Sequence, residues 1–355
     1  MTISRVDAIA NAVLYEGYML YPYRPSAVKN QQRFNFGMVA PQEMPKASMS
    51  NELSGITTEC LLRGSRESLI ELEVRFLQLV QRDVEVRQPS SSQAANGLRS
   101  DFVVVQKFEM NGRILSSWQE AIERRIGVGR LPLAALLESP VRETFSFDAV
   151  RETEPVFDED GDLSARFVRR RQSLSGYVDL LVTELDAHLF KISASVVNDS
   201  PLTESTASSR EGAMLTSFLS THKVLRCSNA EFISLTDPPE ELRGSVALCK
   251  NTGTWPVLAG ESKGQPDVLL SSPIILYDYP EIAPESAGDL FDSTEIDEIL
   301  ALRILTMTDE EKREMRSVDE RTRAILERTE LLPAEHFMRL HGAMRTLAPA
   351  KKERP

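Results

Sequence analysis

A chain of 355 residues with 41% hydrophobic and 26% charged residues can build one large domain or two ordinary ones, and its composition excludes general disorder. A net charge of −12 argues against a general nucleic-acid binder, which needs a basic surface to displace counterions. Three cysteines with no CxxC spacing fit a reducing cytoplasm, and no run approaches the ~20 apolar residues of a membrane span.

VDAIANAVL, residues 6–14, predicts a short helix. Asp7, Asn11 and Glu16 break its apolar character, so it does not read as a signal peptide. The next stretch, YEGYMLYPYRPSAVKNQQRFNFG (15–37), holds four of the seven tyrosines. Arg24, Lys29 and Arg33 follow them, and no acid follows Glu16. Three roles are open for this leader. It packs into a core, it forms an aromatic and basic surface for a partner protein, or it stacks on nucleotide bases. Residues 41–56 read as loop.

From residue 57 the pattern turns to strands. Ile70, Leu72, Val74 and Phe76 alternate with Glu71, Glu73 and Arg75, which predicts a strand with one buried face. Residues 88–100 read as loop. Asn111-Gly112, Asp160-Gly161 and Ser228-Asn229 each predict a hairpin turn between apolar runs. SSWQEAIERRI (116–126) predicts a helix capped by Ser116 or Ser117. Residues 176–197 predict another hairpin, 198–212 a polar loop, and TWPVLAG with DVLLSSPIILYDY the last strands.

The character changes near residue 281. Asp292 with Glu295, Thr308 with Glu311 and Ser317 with Glu320 have the spacing of helix N-termini. Residues 331–347 predict a final helix. The segment 281–320 holds thirteen acids and four bases, a net of −9. The organisation expected is therefore α+β: a leader at 1–56, an antiparallel, sandwich-like β body at 57–280, a helical segment at 281–348 and a tail at 349–355.

Motifs for chemistry are sparse. GESKG (260–264) matches the hydrolase string G-x-S-x-G, but Gln265-Pro266 and a further strand follow where a helix is required, so it reads as a hairpin loop. DEDGD (158–162) lacks the glycine and glutamate positions of a calcium loop and reads as a turn. His336 and His341 lie five apart, about 140° around a helix, and cannot share a metal. His222, Asp237 and Glu261 form the nearest thing to a catalytic set, and no metal or cofactor site is expected.

The leader, together with FLSTHKVL, SLTDPP, GTWPVLAGE, SSPIILYDYPEIAPES and GDLFDSTEIDEILALRILTMTDEEKREMR, resembles an uncharacterised family. Its genes lie beside those of high-affinity, hydrogen-scavenging [NiFe]-hydrogenases. The resemblance runs from about Val6 to Met344 and is carried best by the first 37 residues and by 214–316. It implies a cytoplasmic accessory protein in hydrogenase assembly, maturation or complex stability, whose partners are hydrogenase subunits or maturation factors. No catalytic or ligand residue carries over. The residues themselves point to two contact surfaces, the leader with Tyr21, Tyr23, Arg24, Lys29 and Arg33, and the acidic segment 281–320. An enzyme of unknown reaction and a small-ligand or metal carrier are the alternatives.

Overall fold

The computed structural model describes residues 4–25, 27–31, 33–34, 36–44, 52–88, 102–207, 209–262, 264–282 and 297–332. Two antiparallel sheets face each other. The first joins β13 (Glu231–Ile233), β1 (Gly55–Arg63), β11 (Leu189–Asn198), β10 (Leu174–Asp186) and β7 (Val141–Phe147), in that order. The second is built on β2 (Leu69–Arg87), a strand of 19 residues. One edge of β2 pairs first with β12 (Leu219–Ser228) and then with β9 (Leu163–Arg171). Its other edge pairs with β6 (Trp118–Pro132) and then with β3 (Phe102–Val105). Beyond β12 lie β15 (Val268–Ser272) and β14 (Trp255–Leu258), and beyond β9 lies β8 (Val150–Phe157). A separate hairpin joins β4 (Lys107–Met110) to β5 (Arg113–Ser116).

Alternation decides what each sheet buries. Ile70, Leu72, Val74 and Phe76 enter the core between the sheets, with Leu180, Ile192 and Ala194 from the facing sheet. The stacked pair Phe76 and Phe218, 4.4 Å between ring centroids, sits in that core. Leu77 and Leu79, of opposite parity, belong to a second cluster on the outer face. Likewise Leu225, Leu258 and Leu269 point inward, while Val224, Val257 and Leu270 point outward. The fold is thus α+β, a β-sandwich with a third layer on one side.

That layer comes from both chain ends. Helix α1 (Arg5–Tyr15), capped by Ser4, lays Val6, Ile9, Ala10 and Val13 on Val224, Val257 and Leu270. Three C-terminal helices follow the short helices α2 (Leu133–Glu138), α3 (Glu204–Ala207), α4 (Arg210–Met214) and α5 (Arg243–Val246). They are α6 (Asp297–Leu305), α7 (Asp309–Arg316) and α8 (Glu320–Glu330). Leu300, Ile304, Met315, Ile325 and Leu326 share one apolar cluster with Tyr18, Tyr23 and Phe34 of the leader and with Leu77 and Leu79 of β2. The helices therefore pack on the body both through the leader and directly against β2 and β5. Among the described residues, no helix is long and apolar enough to cross a membrane.

Several local expectations hold. Asn111 and Gly112 adopt φ 53° and 67°, which suits a two-residue hairpin turn, and the Asp160-Gly161 turn joins β8 to β9. GESKG lies in the connection between β14 and β15. Three other expectations are corrected. Residues 118–132 form strand β6 and not a helix, because almost their whole length pairs with β2. The spacing of Trp118, Ala121, Ile122 and Ile126 imitates a helical face, and tertiary pairing overrides it. Ser117 does not cap a helix. Its hydroxyl accepts from Val84 N and donates to Val105 O, at 2.9 and 2.7 Å.

Ser228-Asn229 does not close a hairpin ladder. β12 belongs to the second sheet and β13 pairs with β1 of the first, so the chain crosses between sheets there. Ser317 does not start α8. It closes α7, and Asp319 caps α8 by accepting from Thr322 N at 2.7 Å. The box at Asp292 and Glu295, the loop at 89–100, the helix at 333–347 and the tail at 349–355 lie outside the described residues.

Candidate functional site: an arginine-lined cleft

A cleft of about 630 Å³ opens where α7 and α8 meet the β4–β5 hairpin and the outer parts of β6, β8 and β9. Four stretches far apart in sequence supply its arginines. Arg82 comes from β2 and Arg169 from β9. Arg113 comes from the hairpin, Arg313 and Arg316 from α7, and Arg321 and Arg323 from α8. Against these seven arginines stand four acids, Glu120, Glu154, Asp319 and Glu320, so the lining is net +3 in a chain of −12.

Local rules explain the placement. The Asn111-Gly112 turn delivers Arg113 at the start of β5. Thr308 and Glu311 form a reciprocal capping box that fixes where α7 begins. Arg313 and Arg316 are then three apart and share a helix face. Asp319 caps α8 with one carboxylate oxygen, and its other oxygen accepts from the Tyr18 hydroxyl. Burial, with the Asp319 carboxylate beside it, raises the Tyr18 phenol well above its usual range, so it stays a donor. Arg321 donates to the Tyr15 hydroxyl at 2.5 Å, with its guanidinium 4.2 Å from that ring's centroid. Arg323 donates to the Arg316 carbonyl at the end of α7.

Part of the charge is spent within the fold. Glu120 bridges Arg82 and Arg169 at 2.7 and 2.8 Å, and Arg169 also reaches Glu154 at 2.6 Å. The Phe167 ring lies 5.0 and 5.6 Å from the Arg82 and Arg169 guanidinium carbons. Arg313 pairs with Glu109 and Arg316 with Glu330, both acids outside the cleft lining. Arg113 is exposed and has no ion-pair partner among the described residues.

The leader residues named from sequence divide in two. Tyr23 and Arg33 are buried, at 0% and 3% exposure, and so are not part of a surface. Arg33 donates to the Tyr18 carbonyl at 2.8 Å and to Gln119, and its guanidinium lies 3.9 Å from the Trp118 ring centroid. Burial lowers its pKa to about 10. These contacts tie the leader to β6, because a buried guanidinium needs carbonyl and aromatic partners. Tyr21 and Arg24 are half-buried and Lys29 is exposed. Arg24 pairs with Glu311 of α7 at 3.3 Å, which joins the basic leader to the acidic helical segment.

His222, Asp237 and Glu261 engage separate neighbours. His222 is fully buried, and its Nδ1 lies 3.0 Å from the Ser220 carbonyl. Burial lowers its pKa to about 4. Asp237 is exposed, and its backbone N–H donates to Ser234 at 2.8 Å. Glu261 is exposed and accepts from Arg5 N at 3.1 Å. None of their hydrogen bonds runs from one of the three to another.

Sequence reasoning missed the cleft arginines. The only signal was the Arg313/Arg316 spacing on a helix, and a net charge counted over 281–320 hides it by averaging opposite faces. Comparison with protein-family models, with curated proteins and with solved structures finds no match to this chain.

Proposed function

We propose that this chain is a non-catalytic, cytoplasmic binding protein that seats an anionic segment of a partner protein in the arginine-lined cleft. The observation that carries this reading is the seven-arginine lining, still net +1 once Glu109 and Glu330 are set against Arg313 and Arg316, within a chain of −12. A cleft of one sign on a body of the other raises encounter rates with an acidic partner and makes binding depend on salt. Arginine also suits carboxylate and phosphate recognition through its planar fork. The resemblance to the hydrogenase-linked family supports assembly, maturation or complex stability of a [NiFe]-hydrogenase as the process, with its subunits or maturation factors as partners.

The test is purification of the tagged chain from its native host at low salt, with bound proteins identified by mass spectrometry. Hydrogenase subunits or maturation factors should be recovered, and their yield should fall in 0.5 M salt. The double variant Arg113→Glu, Arg313→Glu should lose them while keeping its circular dichroism spectrum. Recovery that is unchanged by salt and by both substitutions would sink the cleft as the binding surface.

A further inference from the structure

Strand β7 (Val141–Phe147) ends the first sheet. It pairs with β10 along one edge and with no strand along the other among the described residues. Asp199 N donates to the Ser175 carbonyl at 3.0 Å, so Ser175 turns its backbone polar groups toward β11. Gly176 and Val178 then turn theirs toward β7, where they face Phe145 and Glu143. By alternation, the backbone N–H and C=O groups of Arg142, Thr144 and Ser146 point away from the sheet. All three residues are exposed, and these groups have no hydrogen-bond partner among the described residues.

Sheets blunt free edges with prolines, bulges or a covering segment, because an open edge templates pairing with another chain. This chain does so elsewhere. Pro256 and Pro155 interrupt the edge strands β14 and β8. Leu258 of β14 donates to Asp278 at 2.9 Å and accepts from Tyr279 N. β6 has a register break opposite Ile70 and Leu72. β7 has seven residues, no proline and no register break against β10.

We infer that β7 is a self-association edge, on which a second copy of this chain lays its own β7 antiparallel. Self-complementarity selects the copy. Outward-facing residues must oppose one another, so only alternate registers are open. Centring on Glu143 sets two carboxylates opposite each other. Centring on Thr144 leaves Arg142 against the partner's Ser146. Centring on Phe145 sets Thr144 against the partner's Ser146, Arg142 against the partner's Asp148, and the two Phe145 rings side by side. Hydroxyl, opposite-charge and aromatic pairs are the favourable cross-strand kinds. The charges are available for this. Asp148 is exposed with no ion pair among the described residues, and Arg142 spends Nε and Nη2 on Asp179, which leaves Nη1. The pairing also covers Phe145, which is only half-buried although it packs on the sandwich core. Two-fold symmetry makes each contact twice, and the first sheet runs on through both copies. No residue of β7 lines the arginine cleft, so the two surfaces are separate.

The test is sedimentation velocity of the full chain over a hundredfold concentration range. A monomer–dimer equilibrium is expected. Thr144→Pro removes an outward N–H and should abolish the dimer, while a proline at this edge spares the ladder to β10. Asp148→Arg changes an exposed, unpaired side chain. It should weaken dimerisation about tenfold, because two symmetric surface pairs turn repulsive, with the monomer's melting temperature unchanged. Cysteine cross-linking reads the register. Thr144→Cys mixed with Ser146→Cys should give a disulfide-linked dimer, and neither variant alone should exceed the parent chain.

A chain that stays monomeric throughout would overturn the inference, as would a dimer that both Thr144→Pro and Asp148→Arg leave intact. Cross-linking of Thr144→Cys alone would overturn the pairing centred on Phe145. If the chain is monomeric but Thr144→Pro loses a protein recovered from the host, the edge belongs to another protein's strand and the self-pairing falls.

Discussion

The two faces of the β2 sheet follow opposite rules. Between the sheets, Ile70, Leu72, Val74 and Phe76 meet an apolar partner face and are held by packing. On the outer face, Arg75 is fully buried beneath α1, bound to Glu123 at 2.8 and 2.7 Å and to Asn11. His222 and the Leu77–Leu79 stripe lie on the same side, covered by the leader and the helices. The inner face closes with neighbouring strands. The outer face closes only when the two chain ends arrive. The sandwich should therefore be the stable unit, and the helical layer with its cleft the part that yields first.

The largest test of this contrast is Phe76→Ala. Phe76 is fully buried and stacks on Phe218, so its removal opens a cavity in the best-packed region. A loss of about 4 kcal/mol is expected, read from denaturant unfolding. The transition should stay single, because the helices cannot remain folded once the body is lost.

Lys223 is the charged exception on the inner face among the described residues. It is fully buried, and its Nζ has a 3.5 Å contact to the Ile56 carbonyl. Burial lowers its amine to about 7 from the ordinary 10.5. Between those values the unfolded chain binds the extra proton, so stability should rise as pH rises from 7 to 10.5. Lys223→Met should stabilise the protein at pH 7 by roughly 3 kcal/mol and flatten that rise, because no charge is then taken out of water. A variant no more stable than the parent would mean that the amine is solvated in the folded state.

His222 gives the outer-face counterpart at lower pH. Its folded value of about 4 lies below the ordinary 6.5, again because of burial. Over that interval the unfolded state holds more protons, so stability should fall as pH drops from 6.5 to 4, by roughly 2 kcal/mol. His222→Gln should remove the decline, checked by urea unfolding at pH 4.5 and 7.

What the sequence made legible follows the same division. Period-two alternation in β2 and the Asn111-Gly112 turn are local signals, and both appear in the structure. So is the Thr308–Glu311 box. The misread segments are those whose state is set by distant partners. β6 is a strand because β2 lies alongside it, and β12 parts from β13 because each finds a different sheet. Tyr23 and Arg33 have the composition of a binding surface but take core positions, Tyr23 in the cluster shared with the C-terminal helices and Arg33 against Tyr18, Gln119 and Trp118. The cleft was invisible for the same reason, because its arginines come from four separated stretches.

Asp319 joins the two chain ends, so Asp319→Ala addresses the outer layer alone. It removes the α8 cap and the acceptor of the Tyr18 hydroxyl together. A cap is worth about 1 kcal/mol, and the buried phenol left without its partner adds a comparable amount. The expected result is faster hydrogen exchange in α7 and α8 with protection of β10 and β11 unchanged. Uniform loss of protection across all of these elements would show that the layer and the sandwich unfold as one.

The smallest effect on stability should come from Arg113→Ala. The side chain is exposed and has no ion-pair partner among the described residues, so its loss should fall within about 0.5 kcal/mol. That small value is what makes it informative. Arg82, Arg169 and Arg316 each hold an ion pair within the fold, so their substitution mixes folding with binding. A stability change above 1 kcal/mol would mean that Arg113 is structural. A silent melt beside weakened anion binding would separate the two roles that arginine plays in this layer, holding the chain ends down and leaving charge exposed for a partner.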